Sequence, residues 1–177
     1  MRAKLFLYYL MLPILGISQN TTGFKQYSNS FFSIEYPPNW SIVQDDTRVT
    51  QKATISLQIM QRALNNYDIR PNINIIINKN KELRSTSTVA DTVIQQLKSV
   101  ISSCVLNQKK NGVSLSGCKG TMTDISVSVN GSSMRVIQYI VKKPDNTLYN
   151  ITCVIDAGKY DTQKPIIDKI LSTLIIK

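Results

Sequence analysis

Phe32, Ile34 and Tyr36 alternate with Ser33 and Glu35, the two-residue period of a strand with one face in a core. Pro37 and Pro38 close it, because neither donates to a ladder and each fixes its own φ. Trp40, the only tryptophan, follows at once and is placed to cap the end of a core. The pattern continues the strand after a bend over residues 41–44, and Asp45-Asp46 turns the chain. Residues 53–63 alternate again, with Ile55, Leu57 and Ile59 on one face and Thr54, Ser56 and Gln58 on the other. An exposed loop runs through Asn65-Asn66-Tyr67-Asp68 to Arg70-Pro71. Residues 72–78 then align Ile73, Ile75 and Ile77, the most β-prone run in the chain.

The period changes at Ser87-Thr88. Val89, Val93, Leu97, Val100 and Ile101 fall on one helical stripe, with Thr88 as the expected N-cap, Asp91 near the positive helix start, and Thr92, Gln95, Gln96 and Ser99 on the wet side. From residue 104 to 155 the chain reads as strands and hairpins. Residues 104–109 and 113–118 flank Lys110-Asn111-Gly112, and residues 121–129 and 134–142 flank Asn130-Gly131. Asn-Gly between alternating apolar runs signals a hairpin, because both residues tolerate positive φ. Pro144-Asp145-Asn146 turns the chain into residues 148–155. A last helix is expected from Asp161 or Thr162, with Pro165 in its first turn and Ile166, Ile170 and Leu174 facing inward. These elements predict an α+β fold, an antiparallel sheet of about six or seven strands with two helices packed against it.

The landmarks resemble the PsbP-like fold family, which includes PsbP and DcrB-type small exported bacterial proteins. Its opening pattern, Gly-Phe-Ser-Ile-x-Tyr-Pro-x-x-Trp, is similar to Phe32-Ser33-Ile34-Glu35-Tyr36-Pro37-Pro38-Asn39-Trp40, with Phe31 where glycine is usual. Asn72-Ile73-Asn74-Ile75 is similar to a later family run. Ile170-Leu171-Ser172 resembles the closing Ile-Leu-x-Ser-Phe segment, with Leu174 where an aromatic is expected. The resemblance covers most of residues 27–177 and implies a non-enzymatic accessory, binding or assembly domain.

The first residues add a compartment. Met1-Arg2-Ala3-Lys4 is basic, residues 5–17 are mostly apolar, and Gly16-Ile17-Ser18 offers small residues before Gln19. This is the layout of a secretory signal peptide cut between Ser18 and Gln19. The run is shorter than the about 20 apolar residues of a membrane span and contains Pro13. The expected organisation is a signal peptide over 1–18, a flexible lead-in over 19–26 and one domain over 27–177. No cysteine precedes Cys104, which excludes a lipoprotein anchor at that cut, and no later stretch has the length of a transmembrane anchor. The chain is therefore expected to be secreted or periplasmic, with a protein partner there.

Without Arg2 and Lys4 the 21 basic residues become 19 against 11 acidic, a net charge of +8. These charges are scattered, and only Lys109-Lys110, Lys142-Lys143 and Lys79 with Lys81 come close together. That predicts at most a weak, salt-sensitive contact with anionic surfaces. It gives no nucleic-acid motif. The chain has no histidine, which removes the usual general base and every Ser-His or Cys-His nucleophile. Asp45-Asp46, the only adjacent carboxylate pair, reads as turn polarity. No phosphate loop, calcium loop or zinc spacing is present, so no cofactor is expected. The leading function is an exported binding or assembly domain without catalysis. A carrier of a small apolar or lipid-like ligand is the alternative, and an enzyme of unknown type the third.

Two groups of residues remain as candidate sites. Cys153 sits mid-strand and reads as a small buried apolar residue, whereas Cys104 and Cys118 flank one predicted hairpin. A three-residue Lys110-Asn111-Gly112 loop would set these two opposite each other, where a disulfide can form in an oxidising compartment; three free thiols is the other reading. Trp40, Arg62, Tyr67 and Arg70 form a candidate ligand or partner surface.

Overall fold

The computed structural model describes residues 23–46, 55–62, 69–79 and 84–177. In chain order its elements are β1 (Lys25–Ser28), β2 (Phe32–Tyr36), β3 (Trp40–Asp46), β4 (Ile55–Gln61), β5 (Asn72–Lys79), α1 (Thr86–Val100), β6 (Val105–Leu115), β7 (Cys118–Val129), β8 (Ser132–Lys142), β9 (Thr147–Asp156), a single 3-10 turn (Ala157–Lys159), α2 (Tyr160–Ser172) and β10 (Ile175–Ile176). Seven strands form one antiparallel sheet in the order β3-β4-β5-β9-β8-β7-β6, and β1, β2 and β10 form a second, small one. The signal-peptide segment with Ser18 and Gln19, and Tyr67, lie outside the described residues.

Central strand β9 shows how the layers arise. Cys153 stands opposite Ile73 and Ile137, and Ile151 opposite Ile75 and Tyr139, so these side chains share one face. That face meets Phe32, Ile34 and Trp40 from one side and Ile167, Ile170 and Leu171 of α2 from the other, which gives the main core. Full burial of each such side chain contributes about 1.5–3 kcal/mol. The opposite face is covered by α1 over β6, β7 and β8, with Ala90 against Ile140 and Leu148, and Ile94 against Ile125 and Val127. The two helices thus lie on opposite faces of the large sheet.

Several expectations need correction. The Asn111-Gly112 hairpin does not exist: β6 runs straight through it, and Gly112, at φ 72°, sits at a register shift between Asn111 and Val113. Its positive φ serves a bulge instead of a turn. The reversal comes at Ser116-Gly117, where both φ are positive (50° and 75°), and Leu115 pairs Cys118. Asn130-Gly131 does form the expected two-residue turn, at φ 51° and 79°. Asp45 and Asp46 belong to β3 and pair with Leu57 and Ser56, so they do not turn the chain.

α1 begins earlier than predicted. Ser85 is its N-cap, accepting from the Thr88 amide at 3.0 Å, and Thr88 lies one turn inside. Its buried residues are Ala90 and Ile94, while Val100 at the last helical position is 78% exposed. In α2 the inward residues are Ile167, Ile170 and Leu171, with Leu174 buried just beyond, and Ile166 is turned outward at 40% exposure. Beyond the helix, Ile175 and Ile176 add β10 to the edge of β2 opposite β1.

Candidate functional site

The turn after β2 starts the site. The Trp40 amide donates to the Pro37 carbonyl at 2.9 Å, which folds the two prolines into a tight turn and drives Trp40 into the core at 1% exposure. Trp40 pairs Gln61 across β3 and β4, and the Arg62 amide donates to the Asn39 carbonyl at 2.9 Å. The Gln61 amide in turn donates to the Pro71 carbonyl at 3.1 Å. These bonds bring Arg62 and Arg70, on either side of the loop joining β4 to β5, to the same end of the sheet.

The start of α2 is fixed against that end. Arg135 on β8 donates through Nε to Asp124 at 2.9 Å and through its second nitrogen to the other carboxylate oxygen. This bond to Asp124 is the main reason its guanidinium pKa is raised. The guanidinium also lies over the Tyr160 ring, 4.4 Å from its centroid. Lys159 and Gln163 are thereby held beside β4 and β5.

Two clefts result, side by side along α2. One, of about 140 Å³, is lined among the described residues by Gln61, Arg62, Ile69, Arg70, Pro71, Lys159 and Gln163, none of them acidic. The other, of about 370 Å³, is lined by Phe24, Pro37, Asn39, Trp40, Pro165, Ile166 and Lys169. Lys169 stands over the Phe24 ring at 5.0 Å. The first is cationic and the second largely apolar. Gln163 to Ile166 is three residues, about 4.5 Å along the helix axis, so the clefts adjoin within one turn.

Of the candidate residues, Arg62 and Arg70 share the cationic cleft and Trp40 lines the apolar one. Lys159, Gln163, Ile166 and Phe24 were missed. The helical spacing of Lys159, Gln163 and Ile166 puts them on one side of α2, but nothing local shows that this side flanks β4 and β5. The Cys104–Cys118 disulfide is not formed, and all three cysteines are free. Cys118 pairs Leu115 at one end of the β6–β7 hairpin, whereas Cys104 precedes Val105 at the other. The 11 residues of β6 separate them, about 36 Å at 3.3 Å per residue, far beyond the reach of a bridge.

Two of the thiols, Cys118 and Cys153, are also poor nucleophiles. Burial pushes Cys153 up to about 12 and raises Cys118 as well, so both stay protonated at neutral pH. Among the described residues no three cysteine, aspartate or glutamate side chains gather as metal ligands. Among them, too, no helix is long and apolar enough to cross a membrane.

No protein-family model and no curated protein matches the chain. Solved structures do. Cyanobacterial PsbP from Synechocystis sp. PCC 6803 matches with a TM-score of 0.61 at 14% identity, over 90% of this chain and 96% of that one. LpqN, involved in cell envelope biogenesis of Mycobacterium tuberculosis, matches at 0.60 and 14%, over 87% and 90%. The immunity protein TplEi of T6SS from Pseudomonas aeruginosa, complexed with a peptide, matches at 0.54 and 11%, over 88% and 98%. The chain is an α+β domain with the PsbP-like fold.

Proposed function

We propose that this chain is an exported, non-enzymatic binding or assembly domain of the cell envelope, secreted or periplasmic, that recognises a protein partner along α2. The observation that carries this reading is the paired cleft, cationic at Arg62 and Arg70 and apolar from Trp40 to Ile166. Charge at one end and apolar area at the other suit a surface that orients as well as holds a partner. The raised thiol pKa of Cys118 and Cys153 and the chain's lack of histidine favour binding over catalysis. The involvement of LpqN in cell envelope biogenesis and the peptide complex of TplEi support the same reading by analogy of fold.

The test is a pull-down from envelope extract with the mature chain beginning at Gln19. Ile166→Glu puts a charge into the apolar cleft and is expected to lose the partner, while Gln95→Glu on the outer side of α1 keeps it. Equal capture by both variants contradicts the reading.

The volume of the apolar cleft favours a second reading, carriage of a small apolar ligand. Native mass spectrometry separates the two: a retained apolar adduct supports the carrier, and a bare mass counts against it.

A further inference from the structure

Arg62 and Arg70 face a cleft with no acidic residue among its described lining, and among the described residues no carboxylate pairs with either guanidinium. Gln163, which lines the same cleft, has an Oε1 closed off from solvent that accepts no hydrogen bond among the described residues. The site thus presents two planar cations suited to an oxyanion and a buried oxygen that wants a donor. One helical turn away, the Trp40 and Ile166 cleft offers room for an apolar group.

We propose that the Arg62–Arg70 cleft captures the C-terminal carboxylate of a partner polypeptide, an inference that rests on α2 being the recognition groove. The carboxylate lies on the two guanidinium groups, and the Gln163 side chain turns toward the ligand so that its Oε1, enclosed in the free protein, accepts from the last peptide N–H. The chain then runs extended along α2, where a rise of about 3.3 Å per residue brings the second or third side chain from the end into the apolar cleft. A fatty acid supplies the anion and the tail but no donor for Gln163. Inorganic phosphate supplies no apolar group. A chain end carries all three at the required spacing, and charged chain ends are a recurring recognition target.

A synthetic hexapeptide library, prepared once as free acids and once as C-terminal amides, tests this against the mature protein by fluorescence polarisation. The free acids with an apolar residue at the second or third position from the end are expected to bind about tenfold more tightly than their amides, the size of one charge-assisted contact. Arg62→Gln with Arg70→Gln should erase that acid–amide difference at unchanged thermal unfolding temperature. Gln163→Leu should weaken the acids while leaving decanoate unaffected. Acids and amides binding alike would overturn the inference, as would decanoate binding in the cleft when no peptide acid does. If the acids fail yet Ile166→Glu still loses its envelope partner, the groove reading stands and the chain-end inference falls.

Discussion

Gly120 shows how narrowly single residues are specified in this sheet. A Cβ added there would collide with the Ile140 carbonyl on β8, which is backbone and cannot yield. Gly120→Ala is expected to cost more than about 3 kcal/mol in urea unfolding, as an overpacked core site does. Gly117→Ala, with open space but a φ of 75°, should cost only about 1–2 kcal/mol from the left-handed backbone. Equal costs would show that β8 shifts to relieve the contact at Gly120. Cys153 carries a pH signature. Its folded pKa is pushed up to about 12 from an ordinary 9.0 by burial. The unfolded chain therefore gives up that proton first, and stability is full below about pH 9 and lost as pH rises toward about 12. Tyr149, raised from 10.0 to about 12 mainly by burial, adds loss of the same sign from about pH 10. Between pH 9 and 11 the Cys153 proton contributes a slope of about 1.4 kcal/mol per pH unit. Cys153→Ala should flatten the decline by that amount in urea unfolding at stepped pH, and parallel profiles would contradict the assignment. Thiol titration of denatured, unreduced protein should count three thiols.

At the scale of elements, the strands with strict alternation were legible and the features set by distant partners were not. Ile73, Ile75 and Ile77 read correctly as one buried face because a period of two needs no tertiary knowledge. Local signals alone place the β6–β7 hairpin at Asn111-Gly112, a stronger turn signal than Ser116-Gly117. Pairing along β7 overrode it and left Gly112 as a bulge. The sequence pattern places Val89, Val93, Leu97, Val100 and Ile101 on the inner stripe of α1, yet the buried residues are Ile94 and Ala90, the latter fully buried against Ile140 and Leu148. A small residue that allows close approach looks neutral in a sequence. Ile166 was assigned to the core for the opposite reason, since size alone does not reveal that a cleft receives it. Arg62 and Arg70 were singled out as charged loop neighbours, but the approach of Lys159 and Gln163 depends on how α2 docks. The true cap of α1 gives a direct check: Ser85→Ala should cost about 1 kcal/mol, read by urea unfolding. Thr88→Ala, one turn inside the helix, should cost clearly less, and the reverse order would restore Thr88 as the cap.

For the whole molecule, the proposal joins a compartment to a surface. Export predicts that protein recovered from the envelope fraction begins at Gln19 by N-terminal sequencing, and a chain still starting at Met1 would remove the envelope partner from consideration. The surface is the α2 groove, and its most direct test is site-specific photo-crosslinking in living cells. A benzophenone amino acid placed at Ile166, inside the apolar cleft, is compared with one at Gln95 on the outer side of α1. The account predicts a light-dependent protein adduct from position 166 that disappears when Arg62 and Arg70 are both changed to glutamate, and none from position 95. An adduct from position 95 with position 166 silent, or no adduct from either, would contradict it.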